Sequence, residues 1–261
     1  MKSVNWKRGV VVIMLLGLIW LWQQWPDGKL RVVFCDVGQG DASLVVWGSF
    51  QALIDTGPSE RKLFACLGKE IPFWDRRIDL VFISHPQVDH DGALKGLLTR
   101  YKIGKVVEKA GNNDRYRYKD LYFDILLGGQ TSNGGEKVSG SDENEDSMVV
   151  YLRYFGFSAL FTADIGEKTE LALLDKGVLK KTSVLKVPHH GSKFSSSISF
   201  LERLSPKLAI ISVGAGNSYG HPNGDTLIRL DQVKAKVLRT DLQGNVGVIY
   251  DAGEIQVFTE R

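Results

Sequence analysis

The sequence predicts an α/β protein in which two β-sheets pack face to face with helices outside them, preceded by one N-terminal apolar helix. Three features of the 261 residues point there. Thirteen short runs rich in Val, Ile, Leu or aromatic residues read as strands. The early runs follow one another directly and the later ones alternate with helical stretches, the pattern of two packed sheets with outer helices. Ahead of them all, Gly9 to Trp22 is an unbroken apolar run.

That run follows Lys2, Lys7 and Arg8, and Gln23, Gln24, Trp25 and Pro26 close it. From residue 9 to 25 a helix would rise about 25 Å, slightly under a hydrocarbon core of ~30 Å. Locally thinned lipid and a flanking Trp accommodate such a difference. No small-x-small cleavage site follows, which argues against a removed signal peptide. The expectation is an uncleaved signal anchor over residues 1–28 that binds the membrane through 9–25. Its positive flank would stay in the cytoplasm, leaving residues 26–261 outside.

Strands are expected at 30–35, 42–47, 51–54, 79–83, 104–108, 121–126, 148–154, 157–162, 183–187, 208–212, 236–240, 246–250 and 254–258. Helices are expected at 60–69, 91–101, 167–176, 196–203 and 224–232. In 167–176, Leu171, Leu173 and Leu174 form an apolar stripe, with Glu167 and Glu170 near the start, where the helix dipole favours acids. Residues 128–146 are Gly-, Ser- and acid-rich and read as a long mobile loop. With no repeat and no second linker, one domain is expected over 29–261.

Charge narrows the partners. Of 33 basic residues three precede residue 26, leaving 30 against 30 acidic ones, so a nucleic-acid partner gains no support from bulk charge. A basic groove would need local clustering. Lys102, Lys105 and Lys109, and Lys180, Lys181 and Lys186, are such clusters, and each reads as solvated surface. The two cysteines, Cys35 and Cys66, have no Cys-x-x-Cys spacing, so neither a thiolate zinc site nor a disulfide framework is indicated. Cys35 reads as a small buried hydrophobe, and a single disulfide stays open if the domain is exported.

Histidine placement carries the functional signal. All five histidines stand beside strand ends or in Gly/Pro-marked loops. His85, Asp89 and His90 follow the apolar run Leu80–Ile83, and only a loop can gather that spacing. His189 and His190 follow the strand ending at Val187. Asp164 closes the strand ending at Thr162, and His221 lies beyond the strand at 208–212. Imidazole and carboxylate suit zinc, manganese or iron, and a carboxylate can bridge two ions. Loops on a rigid sheet scaffold are where active sites are built. The plainer alternative, a set of polar loops whose histidines cap helices, does not readily explain four such strand ends.

These residues resemble the metallo-β-lactamase superfamily, and within it the hydrolase domain of ComEC-type competence proteins. The resemblance rests on Asp36-Val37-Gly38-Gln39-Gly40-Asp41, Leu53-Ile54-Asp55-Thr56-Gly57, the His85–His90 loop, Phe161-Thr162-Ala163-Asp164, Pro188-His189-His190-Gly191-Ser192 and Tyr219-Gly220-His221-Pro222. It implies an αββα sandwich with one or two divalent ions, zinc or manganese, at one edge. Asp89, His90 and His189 would hold one ion, His85 would help hold a second, and Asp164 would bridge both. Asp55 would orient the metal loop. Two imidazoles usual in the superfamily are missing: Gln87 stands in place of one, and the region of Asp146 and Ser147 lacks the other. Asp36, Asp41, Gln87 or Asp146 would then supply oxygen ligands.

The implied chemistry is metal-assisted attack of water on a phosphodiester, with DNA outside the cell as substrate. Asp164 would orient the water, and His190 or His221 would protonate the leaving group. Two alternatives accompany it: hydrolysis of another ester or amide on the same fold, and a non-catalytic metal-binding module. One apolar helix cannot form a pore, so a role in DNA uptake would require a separate channel protein.

Overall fold

The computed structural model describes residues 6–23, 27–128 and 146–261. The chain runs α1 (Trp6–Gln23), β1 (Leu30–Phe34), β2 (Ser43–Trp47), β3 (Phe50–Ile54), α2 (Glu60–Glu70), β4 (Arg77–Phe82), α3 (Val88–Asp91), α4 (Leu94–Arg100) and β5 (Lys102–Val107). It continues with β6 (Arg115–Tyr118), β7 (Leu121–Leu127), β8 (Val149–Tyr154), β9 (Phe157–Phe161), α5 (Glu167–Asp175) and β10 (Val184–Lys186). Last come α6 (Ile198–Leu204), β11 (Leu208–Ile211), α7 (Gly224–Gln232), β12 (Lys236–Arg239), α8 (Thr240–Gln243), β13 (Val246–Asp251) and β14 (Glu254–Thr259).

The strands form two seven-stranded sheets, ordered β14-β13-β1-β2-β3-β4-β5 and β12-β11-β10-β9-β8-β7-β6. One apolar cluster fills the space between them, centred on Phe34, Phe82, Phe123, Phe157 and Phe161. A second packs the outer face of the first sheet through Leu63, Leu67 and Leu97 of α2 and α4. A third packs the outer face of the other sheet through Leu173, Phe200, Leu201 and Leu230 of α5, α6 and α7. The layers are therefore helix, sheet, sheet, helix. In each sheet an antiparallel portion passes into a parallel one, β3-β4-β5 in the first and β9-β10-β11-β12 in the second. Parallel strands are buried on both faces, and β9, β10 and β11 are buried throughout.

Three expectations need correcting. Among the described residues no helix is long and apolar enough to cross a membrane. The transmembrane span expected at 9–25 becomes the 18-residue α1, whose first turn holds Lys7 and Arg8. The apolar stretch left, Gly9 to Trp22, rises only ~21 Å. Val10 to Leu16 on it are exposed. Second, Cys35 is more than a packed hydrophobe: it forms a disulfide with Cys66, tying the end of β1 to α2. Closing a loop of 31 residues stabilises the fold by about 3–4 kcal/mol in the chain-entropy account. Third, Lys186 is not solvated surface but 2% exposed. Of the loop expected at 128–146, residues 129–145 lie outside the described residues.

Candidate metal centre

The carboxyl ends of parallel strands meet at one edge of the sandwich. β3 leads into Asp55, β4 into Ser84 and His85, β9 into Asp164, and β10 into the turn Pro188–Gly191. The loop between β1 and β2 reaches the same edge, where the Asp41 N–H donates to the Asp89 carbonyl at 3.0 Å. Gly40 makes this approach possible, because a Cβ there would stand 2.3 Å from that carbonyl oxygen.

Ligand atoms of Asp89, His90, Asp164 and His190 lie within 4.8 Å of one another. His90 Nε2 is 3.3 Å from Asp164 Oδ1, and His190 Nε2 is 3.4 Å from both Asp89 Oδ2 and Asp164 Oδ2. His85 joins the group with its ring 4.1 Å from that of His90. In each imidazole the far nitrogen is held by the protein. His90 Nδ1 meets Asp55 Oδ2 at 2.8 Å, His190 Nδ1 meets the Ser212 carbonyl at 2.8 Å, and His85 Nδ1 meets Ser84 Oγ at 3.0 Å and Ser147 Oγ at 3.2 Å. Such partners fix ring orientation and tautomer at metal sites. The near nitrogens, Nε2 of His85, His90 and His190, are buried without a hydrogen bond, as is Asp164 Oδ1.

These orphaned atoms fit a divalent cation. Asp41, Asp55, Asp89 and Asp164 bring four formal negative charges to the cluster, and Lys186 returns one. Burial disfavours charge on the His90 ring, but Asp164 and Asp55 outweigh it and raise its pKa to about 10. Burial is likewise overcome at His190, by Asp164 and Asp41, which lift its pKa well above the ordinary value. Burial also works against ionisation of Asp164, yet His190 and His90 hold its carboxyl well below the usual range. Without a metal, then, two imidazole protons stand where one doubly charged ion would replace them. Asp41, Asp55 and His90 also approach one another closely. That trio is not a second cation site, because the Lys186 ammonium already pairs with Asp41 and Asp55 is bonded to His90.

The structure sorts the remaining candidates. Asp55 accepts from the Ser84 N–H at 2.7 Å, from Ser84 Oγ at 2.9 Å and from His90, so it orients the loop that carries His85 and His90. His190, not His189, enters the cluster. Both residues have left-handed backbone, with φ of 48° and 52°, and this turn sends the His190 ring inward. His189 lies outside that group, on the wall of a cleft of about 440 Å³ that opens onto Asp89, Asp164 and His190 and is also lined by Gln39, Gln87, Tyr219 and His221. His190 meets the Ser212 carbonyl through Nδ1 and turns Nε2 into the cluster, whereas His221 lines the cleft beside His189. Burial, with His190 and His189 nearby, pushes the His221 pKa down. Asp36 lies away from the cluster, paired with Lys62 at 3.2 Å and Arg261 at 2.7 Å. Asp146 is exposed.

Two contributors escaped the sequence. Lys186 pairs with Asp41, donates to the Ala163 carbonyl at 3.1 Å and lies 3.8 Å from Asp164 Oδ1. Its position between two apolar residues, Leu185 and Val187, was the available signal. Gln39 accepts from the Gly214 N–H at 3.1 Å and forms part of the cleft wall; the sequence placed it in a motif but gave it no role.

The chain is similar to known proteins. The model of the metallo-beta-lactamase superfamily matches residues 35–215. ComE operon protein 3 of Bacillus subtilis is 30% identical over 267 residues, covering 86% of this chain and 33% of its own length. Recombination protein 2 of Haemophilus influenzae is 29% identical over 265 residues, covering 96% and 32%. The chain thus spans about a third of the length of these curated relatives. Among solved structures, the metallo-beta-lactamase fold protein YhfI of Bacillus subtilis superposes with a TM-score of 0.53 at 10% identity, over 88% of this chain and 100% of that one.

Proposed function

The chain belongs to the metallo-β-lactamase superfamily, and from that premise we propose that it is a divalent-metal-dependent phosphodiesterase that cuts DNA outside the cytoplasm. The observation that carries this is the convergence of three buried, unbonded imidazole nitrogens and one carboxylate oxygen below an open cleft. Asp89, His90, Asp164 and His190 would hold the ion, with His85 beside them. Mixed imidazole and carboxylate donors favour zinc or manganese. When bound, the ion polarises a phosphoryl oxygen and acidifies water. Asp164 and Asp89 orient the attacking water by accepting its hydrogen bonds. His189 and His221 stand on the cleft wall where a leaving group would take up a proton. Gln39 and Tyr219 shape the opening. DNA as the substrate is supported by likeness to ComE operon protein 3 and Recombination protein 2.

Location outside the cytoplasm is part of the same proposal. The Cys35–Cys66 disulfide supports an oxidising compartment, and the exposed apolar side chains of α1 support attachment to a membrane. Protease added to intact spheroplasts should degrade the domain; protection until the membrane is broken would reverse the assignment. For the chemistry, the test is metal content together with cleavage of DNA and of bis(p-nitrophenyl) phosphate, with each divalent metal. Chelation should abolish both activities. A folded, metal-loaded protein that cuts no phosphodiester would move the assignment to another ester or amide.

A further inference from the structure

Far along the second sheet from the metal cleft, β6, β7 and β8 carry a basic, aromatic tile. The register sets Arg115 opposite Asp124 and Asp124 opposite Tyr151; two residues along, Arg117 faces Tyr122 and Tyr122 faces Arg153. Alternation along the strands turns Tyr116, Tyr118, Leu121 and Phe123 toward the core between the sheets and puts the tile on the opposite face. Three guanidinium carbons lie 5.8, 5.2 and 5.0 Å from the Tyr122 ring centre, those of Arg115, Arg117 and Arg153. Asp124 accepts from Arg115 at 2.5 Å and from Arg153 at 2.6 Å. Among the described residues no carboxylate pairs with Arg117, which is exposed. Next to the tile Phe155, 74% exposed, borders a hollow of about 440 Å³ with Tyr122, Arg153 and one carboxylate, Asp120.

Internal cohesion accounts for Asp124 and its two arginines. It does not account for Arg117, which donates to the Lys119 carbonyl at 2.6 Å but has no carboxylate partner among the described residues, or for the exposed Phe155. We propose that this tile is a binding surface for single-stranded nucleic acid, separate from the metal cleft. Arginine forks pair with phosphate oxygens, and an exposed ring or guanidinium plane offers a stacking surface to an unpaired base. The charge is local, which is what a formally neutral domain requires. An anionic lipid surface fits less well, because Phe155 is the tile's one exposed apolar side chain and cannot anchor it alone. From Ser147, beside His85, to Arg153 the chain advances about 20 Å along the strand. A strand gripped at the tile would therefore reach the metal edge within a few nucleotides.

The inference deepens the phosphodiesterase proposal by naming where the polymer is held, yet binding is measurable without cleavage. The experiment compares the full chain with its Arg117→Glu, Phe155→Ala variant. Fluorescence anisotropy of a labelled oligothymidylate is read in chelator, so that no turnover occurs. The variant should bind at least about tenfold more weakly, with a shallower salt dependence. With metal restored, it should turn over bis(p-nitrophenyl) phosphate as the parent does. Thermal melting checks the fold, and Arg117→Gln alone replaces the double variant if that does not fold. Equal binding by parent and variant, or no binding by the parent, overturns the proposal. So does loss of binding to phosphatidylglycerol vesicles while oligothymidylate binding is kept. If neither protein cleaves any phosphodiester, the activity proposal fails while the binding result stands.

Discussion

Asp36 and Asp41 stand five residues apart in one motif and have opposite fates. Asp36 pairs with Lys62 and Arg261, side chains that are 38% and 55% exposed. Asp41 is 3% exposed, pairs with buried Lys186, and lies 3.4 Å from His190 Nδ1. Burial opposes its ionisation, but Lys186 and His190 draw its pKa down to about 2. The lesson is that burial, not residue type, decides what a charge is worth. An exposed pair is screened by water and contributes about 0–1 kcal/mol. A buried one is costly to assemble and costlier to break.

The strongest way to break the contrast is Lys186→Met. It leaves Asp41 buried without a cation and should cost about 3–5 kcal/mol, seen as a large fall in Tm, with loss of hydrolysis. Adding Asp41→Leu should recover much of the stability and none of the activity, because His190 then lacks its carboxylate neighbour. If the double variant is as active as the parent, the pair has no part in setting the metal edge. Next in size is the sorting of two adjacent histidines. His190→Ala should lose bound metal and activity by elemental analysis and assay, whereas His189→Ala should keep its metal and lose only part of its rate. The reverse outcome would return His189 to the metal.

Acidity sharpens the same point. Relative to an unfolded value near 6.5, the raised His90 pKa stabilises the metal-free fold fully below that pH. This contribution is lost as pH rises through about 10. Chelated protein should therefore melt at lower temperature as pH climbs across that window. Metal affinity, followed by competition with a chelator, should rise over the same window because the displaced protons become easier to remove. A pH-independent affinity would mean that His90 is neutral before the metal arrives. The smallest effect is expected at the surface: Asp36→Asn should change stability by under ~1 kcal/mol and leave hydrolysis intact.

Most strands were legible because a buried strand needs a run of Val, Ile and Leu. β6 was not, since its Arg-Tyr-Arg-Tyr alternation buries only the tyrosines, and those in part. The helix expected at 91–101 divides into α3 and α4 around Gly92 and Ala93; periodicity alone cannot mark such a break. At the metal edge the residue types were legible, because carboxylate and imidazole beside strand ends have few other uses. Which of His189 and His190 points inward was not, since backbone handedness over two residues decides it. Lys186 was misassigned because a charge in a cluster of lysines ordinarily faces water. The Cys35–Cys66 pairing joins residues that only the packing of α2 on the first sheet brings together.

Gly40 has no chemistry to offer, yet its α-carbon lies so close to the Asp89 carbonyl that nothing larger than hydrogen fits between them. Its place in the molecule is a clearance, like the gap between two machined parts. In a library of random variants selected for hydrolysis, position 40 should be as intolerant as the ligands themselves. The cause would be a lost fit, not a lost function.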